Sequence, residues 1–197
     1  MSNKSFQNEF LDLVSELGNI TFGNASTALS VIVNQDIDIS TPKVEIVDKE
    51  DLLKSFPNPY VLVEIEYAEG LEGHNVLMLE PRDAAIIADL MMGGEGKVEQ
   101  VELGEFELSA VQEAMNQMMG AASTSMSEFL NLQIDINPPN TVYTDLDTAH
   151  TLGELFTDKQ LIKVTFDLKV GDVIHSNLMQ IINIPFAKQL ASELLGI

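Results

Sequence analysis

The chain has 197 residues, with 10 Lys and Arg against 31 Asp and Glu, which gives a formal net charge of −21. This balance excludes a domain that binds nucleic acid through clustered basic residues, and it excludes attraction to anionic lipid. Apolar residues make up 45% of the sequence, so the acidity does not indicate disorder. The absence of cysteine excludes disulfides, thiolate metal sites and a cysteine nucleophile.

The sequence carries no sign of a membrane or export segment. No stretch reaches the roughly 18 uncharged apolar residues that a membrane helix needs, and the first residues lack the apolar core of a signal peptide. The three histidines show no metal-ligand spacing. We therefore expect a cytoplasmic protein without membrane insertion and without a metal site.

Hydrophobic periodicity predicts the same series of elements twice along the chain. Apolar residues at helical spacing predict a long helix over residues 6–33, and Pro42 limits the strand that follows at Ile37. Alternating residues then predict a β-hairpin, and a helix entered through Pro81 ends at Gly93. The hairpin covers 60–67 and 74–80, and after a linker at 93–104 come a helix at 106–130, a strand at 133–137, a hairpin at 160–184 and a helix at 186–195. Strands joined by hairpins pair antiparallel, so the expected fold is α+β (α/β) with an antiparallel sheet.

An internal repeat accounts for this series. When the sequence is shifted by 97 positions, residues 12–42 align with residues 109–139, and 13 of the 31 positions are identical, against roughly two expected from ordinary composition. The identical residues of the first copy are Val14, Glu16, Asn19, Gly23, Ala25, Ser26, Thr27, Ser30, Asn34, Ile37, Asp38, Ile39 and Pro42. We predict one domain over residues 1–197, made of two repeats at about 1–97 and 98–197 that are related by a pseudo-two-fold axis.

Polar residues recur on one face of both predicted long helices. The pattern is Asp or Ser, three residues, Glu, two residues, Asn, 22 residues and Pro, and it is formed by Asp12, Glu16, Asn19 and Pro42 and again by Ser109, Glu113, Asn116 and Pro139. Spacings of four and three residues place the first three members on one helical face. Such a face is usually a solvated surface, and the start of the second copy also fits a capping box. Because a solvated face drifts freely after a duplication, its retention in register favours a functional role.

This pattern resembles that of the CheC/CheX/FliY phosphatases of bacterial chemotaxis, and the resemblance covers nearly the whole chain. Within the family, segments 83–91 and 109–120 are most similar to the middle domain of FliY switch proteins. The resemblance implies a CheC-like fold with two long motif-bearing helices. It also implies a hydrolase that removes the aspartyl-phosphate of a CheY-type response regulator, with flagellar switch proteins as further partners at the cytoplasmic face of the flagellar basal body.

The resemblance implies a role for each motif residue. The asparagines orient the attacking water and the glutamates pair with the regulator's active-site lysine, so the catalytic residues are Glu16, Asn19, Glu113 and Asn116. The residues expected to support the helix face and the strand bend are Asp12, Pro42, Ser109 and Pro139. Glu and Asn offer no strong nucleophile, so the substrate must be a labile phosphate. The regulator brings its own Mg²⁺, and no cofactor of this chain's own is expected.

One departure from the family pattern, two glycines inside the first helix and two alternative functions complete the sequence-based picture. Met115 stands where the first copy has Gly18, so we expect narrower access to the second site and unequal activity. Gly18 and Gly23 each cost about 1 kcal/mol inside a helix, which indicates a close helix approach or a bend. The first alternative function is a non-enzymatic motor scaffold similar to the middle domain of FliM, and the second is a CheC-like module that binds the deamidase CheD.

Overall fold

The computed structural model describes residues 3–40, 43–56, 59–144 and 148–195, with side chains from Asn8 onward. Within these ranges the elements of the first half are α1 (Asn3–Val33), β1 (Ile37–Ile39), β2 (Lys43–Asp48), α2 (Lys49–Lys54), β3 (Tyr60–Ile65), β4 (Tyr67–Glu69), β5 (Asn75–Leu79) and α3 (Pro81–Met91). Those of the second half are α4 (Glu105–Leu130), β6 (Asp135–Ile136), β7 (Asn140–Thr144), α5 (Thr148–Leu155), β8 (Gln160–Val170), β9 (Ile174–Asn183) and α6 (Ile184–Leu195). The predicted long helices, hairpins and closing helices are confirmed.

Five elements have no counterpart in the sequence-based prediction, namely β2, α2, β4, β7 and α5. β4 has three residues and pairs with β6 in a separate two-stranded sheet. Helices α2 and α5 have six and eight residues, too few for an apolar periodicity to stand out. Strands β2 and β7 begin directly after the proline of each repeat, where the prediction ended the strand. Each proline is therefore followed by a second strand that belongs to the main sheet.

The two repeats share one antiparallel sheet with the order β1-β8-β9-β5-β3-β7, and β2 also pairs with β8. β2 of the first half pairs with β8 of the second half, and β7 of the second half pairs with β3 of the first. At the centre, β5 pairs with β9 and Met78 lies opposite Met179. These methionines are equivalent in the repeat, so the pseudo-two-fold axis passes through their pair. Because each half contributes a strand that pairs with the other half, neither half completes its part of the sheet alone. The repeat boundary near residue 97 stays a prediction.

Alternation along the central strands separates two hydrophobic cores. Val61 faces a large core under α1, α3, α4 and α6, whereas Leu62 faces a smaller core under α2 and α5. The long helices α1 and α4 pack against each other over the large core, where Asn24 Nδ2 donates a hydrogen bond to Ser125 Oγ at 2.7 Å. Packing on one side leaves the opposite face of each long helix to solvent.

Candidate functional site

The first copy of the motif lies on the solvent side of α1. Asp12, Glu16 and Asn19 are exposed, whereas Val14 and Leu17 between them are buried in the large core. At a rise of 1.5 Å per residue, Glu16 and Asn19 lie about 4.5 Å apart along the helix axis, so both side chains can reach one bound group. Within the described ranges, no hydrogen bond or ion pair ties Glu16 or Asn19 to another residue.

The second copy lies on α4 and differs in how its carboxylate is held. Ser109 and Glu113 are exposed, and Asn116 is half-buried. Gln117 Nε2 donates a hydrogen bond to Glu113 Oε1 at 2.8 Å. Ile20 occupies the equivalent position of α1 and has no such donor. The second carboxylate is therefore held along its own helix, and the first is not.

The prediction that Met115 narrows access to the second copy is wrong. Met115 is 1% exposed, and its side chain packs in the large core. In the first copy, Gly18 has no side chain at this position, and it lines a cavity of about 30 Å³ beneath α1. The methionine for glycine exchange therefore changes the packing under the helix and leaves the solvent face of the motif unchanged.

Two repeated glycines extend the motif face of both helices. Gly23 and Gly120 follow the motif asparagines by four residues, which is one turn further along the same face. Both are exposed, and a Cβ at either position would meet no atom within 4 Å, so no close helix approach occurs at Gly23. A glycine inside a helix costs about 1 kcal/mol relative to Ala. Packing within the described chain does not explain why a glycine stands at either position. Its effect is that the helix surface one turn beyond each motif asparagine carries no side chain.

Other repeated polar residues have architectural roles that the sequence analysis missed. Asn34 and Asn131 follow α1 and α4 with φ of 52° and 51°, a left-handed conformation that Asn adopts more readily than most other residues. Ser30 Oγ accepts a hydrogen bond at 3.1 Å from the backbone N–H seven residues later, and Ser127 Oγ accepts the equivalent bond at 3.0 Å. The signal was their identity in both copies. Repeat identity therefore marks architecture as well as function, and the structure separates the two.

The residues expected to support the motif are dispersed. Pro139 is buried between β6 and β7, where the chain passes from pairing with β4 to pairing with β3. Pro42 lies outside the described residues. Asp12 and Ser109 are exposed on the motif faces. Their supporting roles stay predictions.

The grooves beside the two copies differ in chemistry. Beside α1, Glu16 borders a groove of about 350 Å³ with apolar walls that include Phe10, Leu13 and Leu195. Beside α4, Asn116 borders an open groove of about 540 Å³ lined mainly by polar residues of α4 and by residues 133–136. Among the described residues, no group of three His, Cys, Asp or Glu side chains is arranged to hold a metal ion. In the same part of the chain, no helix has the length and apolarity needed to cross a membrane.

Each Glu–Asn pair offers a limited set of chemical actions. The carboxylate can bind a cationic group, and the amide can donate and accept hydrogen bonds at the same time. Neither group is a strong nucleophile. Because both pairs stand on the outer face of a helix, the arrangement suits a macromolecule that carries its own reactive centre into contact with the helix.

Comparison with known proteins first defines the class. A family model described as the CheC-like family matches residues 9–46 and 106–143, which contain most of both motif helices and of the strands that follow them. The crystal structure of FliY from Thermotoga maritima has a TM-score of 0.89 and 40% sequence identity, and the match covers 95% of this chain and 96% of that one. The chain therefore belongs to the CheC-like family, together with FliY.

The particular relatives are flagellar motor proteins. The chain is 49% identical over 185 residues to the flagellar motor switch phosphatase FliY of Bacillus subtilis, which covers 94% of this chain and 49% of the relative. The FliM middle domain from H. pylori has a similar fold, with a TM-score of 0.69 at 17% identity, covering 98% of this chain and 99% of that one. The chain spans about half the length of the curated relatives it matches.

Proposed function

We propose that this chain is a phosphatase domain that removes the phosphoryl group from the aspartyl-phosphate of a CheY-type response regulator in flagellar motor control. The observation that carries the proposal is that Glu16 and Asn19 are exposed, as is Glu113, while Asn116 is half-buried, and that within the described ranges none of the four is hydrogen-bonded to another helix or strand. The repeated serines and asparagines at the helix ends are explained by architecture, and the Glu–Asn pairs are not. Similarity to a protein named a flagellar motor switch phosphatase supports the same activity.

The proposed reaction is hydrolysis of an acyl phosphate. A water oxygen bonds to phosphorus as the bond from phosphorus to the regulator's aspartate oxygen breaks, which releases the aspartate carboxylate and inorganic phosphate. Asn19 or Asn116 orients this water through its amide, and Glu16 or Glu113 binds the regulator's active-site lysine and sets the docking register. An acyl phosphate is labile, so holding a water in line is the main requirement.

The proposal assigns the cations of the reaction to the regulator. Mg²⁺ and lysine on the regulator balance the charge of the phosphoryl oxygens, so this chain supplies no cofactor. A net charge of −21 is compatible with such a substrate because the phosphoryl group never leaves its own cationic surroundings before hydrolysis. We place this activity in the cytoplasm at the flagellar motor, with switch proteins as neighbours, because the relatives are switch proteins.

The test is the decay of the phosphorylated regulator in the presence of the chain. Wild type is compared with Asn19→Ala, Asn116→Ala and the double variant, with Asn177→Ala as a matched control because Asn177 is an exposed asparagine on β9. We expect wild type and the control to accelerate decay equally, and the double variant to lose the acceleration. Circular dichroism of each variant verifies that the fold is retained.

The same assay decides between the proposal and its alternatives. A wild-type rate no faster than the regulator's own decay would contradict the phosphatase and favour a motor scaffold of the FliM type. Titration of the chain against CheD, measured by calorimetry, tests the third possibility. Full acceleration by the double variant would show a phosphatase whose active residues lie elsewhere.

A further inference from the structure

A small cavity lies beneath the first motif helix, between α1 and the sheet. Its volume is about 30 Å³, and its polar walls come from Thr21 of α1 and from Tyr67, Asn75 and Gln180. The absence of a side chain at Gly18 leaves this space open. A water molecule needs about 10–15 Å³ of such volume and two or more polar partners, so the cavity has room for one.

A chain of hydrogen bonds across the sheet ends at this cavity. Gln180 Nε2 donates to Asn75 Oδ1 at 3.0 Å, and Asn75 Nδ2 donates to Tyr67 Oη at 3.1 Å. The Tyr67 hydroxyl accepts this bond, so its own proton needs an acceptor. Burial raises the pKa of Tyr67 to about 12, against a smaller lowering by the bond from Asn75, so the hydroxyl keeps its proton at neutral pH.

On the other wall of the cavity, the hydroxyl of Thr21 has no partner among the described residues. Thr21 is 4% exposed, and its Oγ1 is buried without a hydrogen bond within the described ranges. Buried polar groups in folded proteins are nearly always paired, because an unpaired group has lost its bonds to water without replacement. A donor at Tyr67 and an unpaired hydroxyl at Thr21 therefore line the same water-sized space.

We propose that one water molecule occupies this cavity, accepts a hydrogen bond from the Tyr67 hydroxyl and donates one to Thr21 Oγ1. The completed chain from Gln180 through Asn75 and Tyr67 ties α1 to the sheet two residues beyond the motif asparagine. In the part of the second repeat that the structure describes, no such chain is present. Met115 and Met118 stand at the positions of Gly18 and Thr21, and both are 1% exposed, so α4 rests on apolar packing.

The test combines a crystal structure with a double-mutant cycle on the 197-residue chain. We expect density for an ordered water within hydrogen-bond distance of both hydroxyls. In urea unfolding, Thr21→Val and Tyr67→Phe should each raise the unfolding equilibrium constant roughly tenfold, and the double variant should show much less than the product, because either change removes the bridge. Full multiplication of the two effects, an empty cavity, or a direct bond between the hydroxyls would overturn the proposal.

A second comparison keeps the proposal testable if the double variant does not fold. Gly18→Ala adds a methyl group at a residue that lines the cavity, and we expect it to displace the water, whereas a methyl group at Gly23 meets no atom of the described chain within 4 Å. Both gain helix propensity equally. We expect the unfolding constant of Gly18→Ala to exceed that of Gly23→Ala by roughly tenfold, and equal constants would contradict the water site.

Discussion

The two copies of the motif share their outer face and differ in everything that supports it. Glu16 on α1 has no partner in the described chain, whereas Glu113 on α4 accepts a hydrogen bond from Gln117. Beneath α1 lies a cavity with polar groups in part of its wall, whereas core methionines occupy the equivalent positions of α4. The groove beside α1 is apolar, and the groove beside α4 is polar. The surroundings of the two motif copies have diverged, whereas the motif residues on the outer helix face are retained. This contrast indicates that selection maintained the outer face.

This comparison also shows why a repeated residue needs a structural explanation before a functional one. The asparagines at 34 and 131 are identical because the chain leaves both helices in a left-handed conformation. The asparagines at 19 and 116 are identical without such a requirement. The contrast between these two pairs is the physical basis of the proposed site, and four predictions test it.

The largest effect is expected from removing both motif amides. We expect Asn19→Ala with Asn116→Ala to lower the acceleration of regulator dephosphorylation by about 100-fold, the usual scale for losing a positioned polar group in a reaction. Each single variant should keep part of the activity, because the other copy still works. The measurement is the phosphate-release rate under multiple turnover, and a single variant as inactive as the double would show that only one copy functions.

The next effect tests whether the bare surface beyond the asparagines meets the partner. Gly23→Gln together with Gly120→Gln should stabilise both helices, because glutamine has the higher helix propensity and a Cβ at either position meets no atom of the described chain within 4 Å. The same change should lower dephosphorylation by roughly tenfold, since the added bulk separates the docked surfaces. Val31→Gln is the control, because Val31 is 79% exposed on α1, three turns beyond the motif asparagine. Unchanged activity in the glycine variant would place the contact elsewhere.

Salt should weaken the encounter by a moderate amount. If the motif glutamates bind a lysine, raising the salt from 50 to 500 mM should raise KM several-fold, on the order of fivefold, with little change in kcat. Glu16→Gln with Glu113→Gln keeps the shape of both sites and removes their charge. This variant should start from a higher KM and respond less to salt, and Glu193→Gln on α6 is the matched control because Glu193 is also exposed. Equal salt dependence in all three proteins would argue against a charge pair at the motif.

The smallest effect concerns the inequality of the copies. Because the hydrogen bond from Gln117 holds the Glu113 carboxylate along α4 and occupies one of its acceptor sites, Gln117→Ile should increase the activity that remains in Asn19→Ala by about threefold. The reciprocal change, Ile20→Gln in the Asn116→Ala background, should lower activity by a similar factor. The measurement is the dephosphorylation rate of the single active copy in each background. If neither substitution changes this rate, the hydrogen bond does not account for a difference between the copies.

Much of the fold was open to prediction from the sequence. The duplication was visible as 13 identical residues, and the helical and alternating patterns located both long helices and both hairpins. The helices α2 and α5 were not predicted because they are too short to show a clear apolar periodicity. Strands β2 and β7 were not predicted because a proline does not prevent the residues after it from joining a sheet. β2 continues on β8, with which β1 also pairs, whereas β7 pairs with β3 after β6 has paired with β4.

The candidate site was predicted less evenly. Spacing placed Glu16 and Asn19 on one face, and the structure exposes both. Spacing could not show that Met115 points into the core, since that depends on which side of α4 packs on the sheet. The spacing of Glu113 and Gln117 permits the hydrogen bond between them, but many residue pairs in a helix have the same i, i+4 spacing, so the sequence did not single this bond out.

The net charge, the duplication and the spacing of the motif are properties of the sequence alone, because they depend on composition and on local helical geometry. Tertiary structure decided that the repeats exchange strands, which of the repeated residues serve the architecture, and where a cavity with polar groups in its wall forms under α1. These outcomes depend on contacts between residues about 50 to 160 positions apart, such as Thr21 with Tyr67 and Gln180 around one cavity. Such contacts follow from how whole elements pack, which no local pattern encodes.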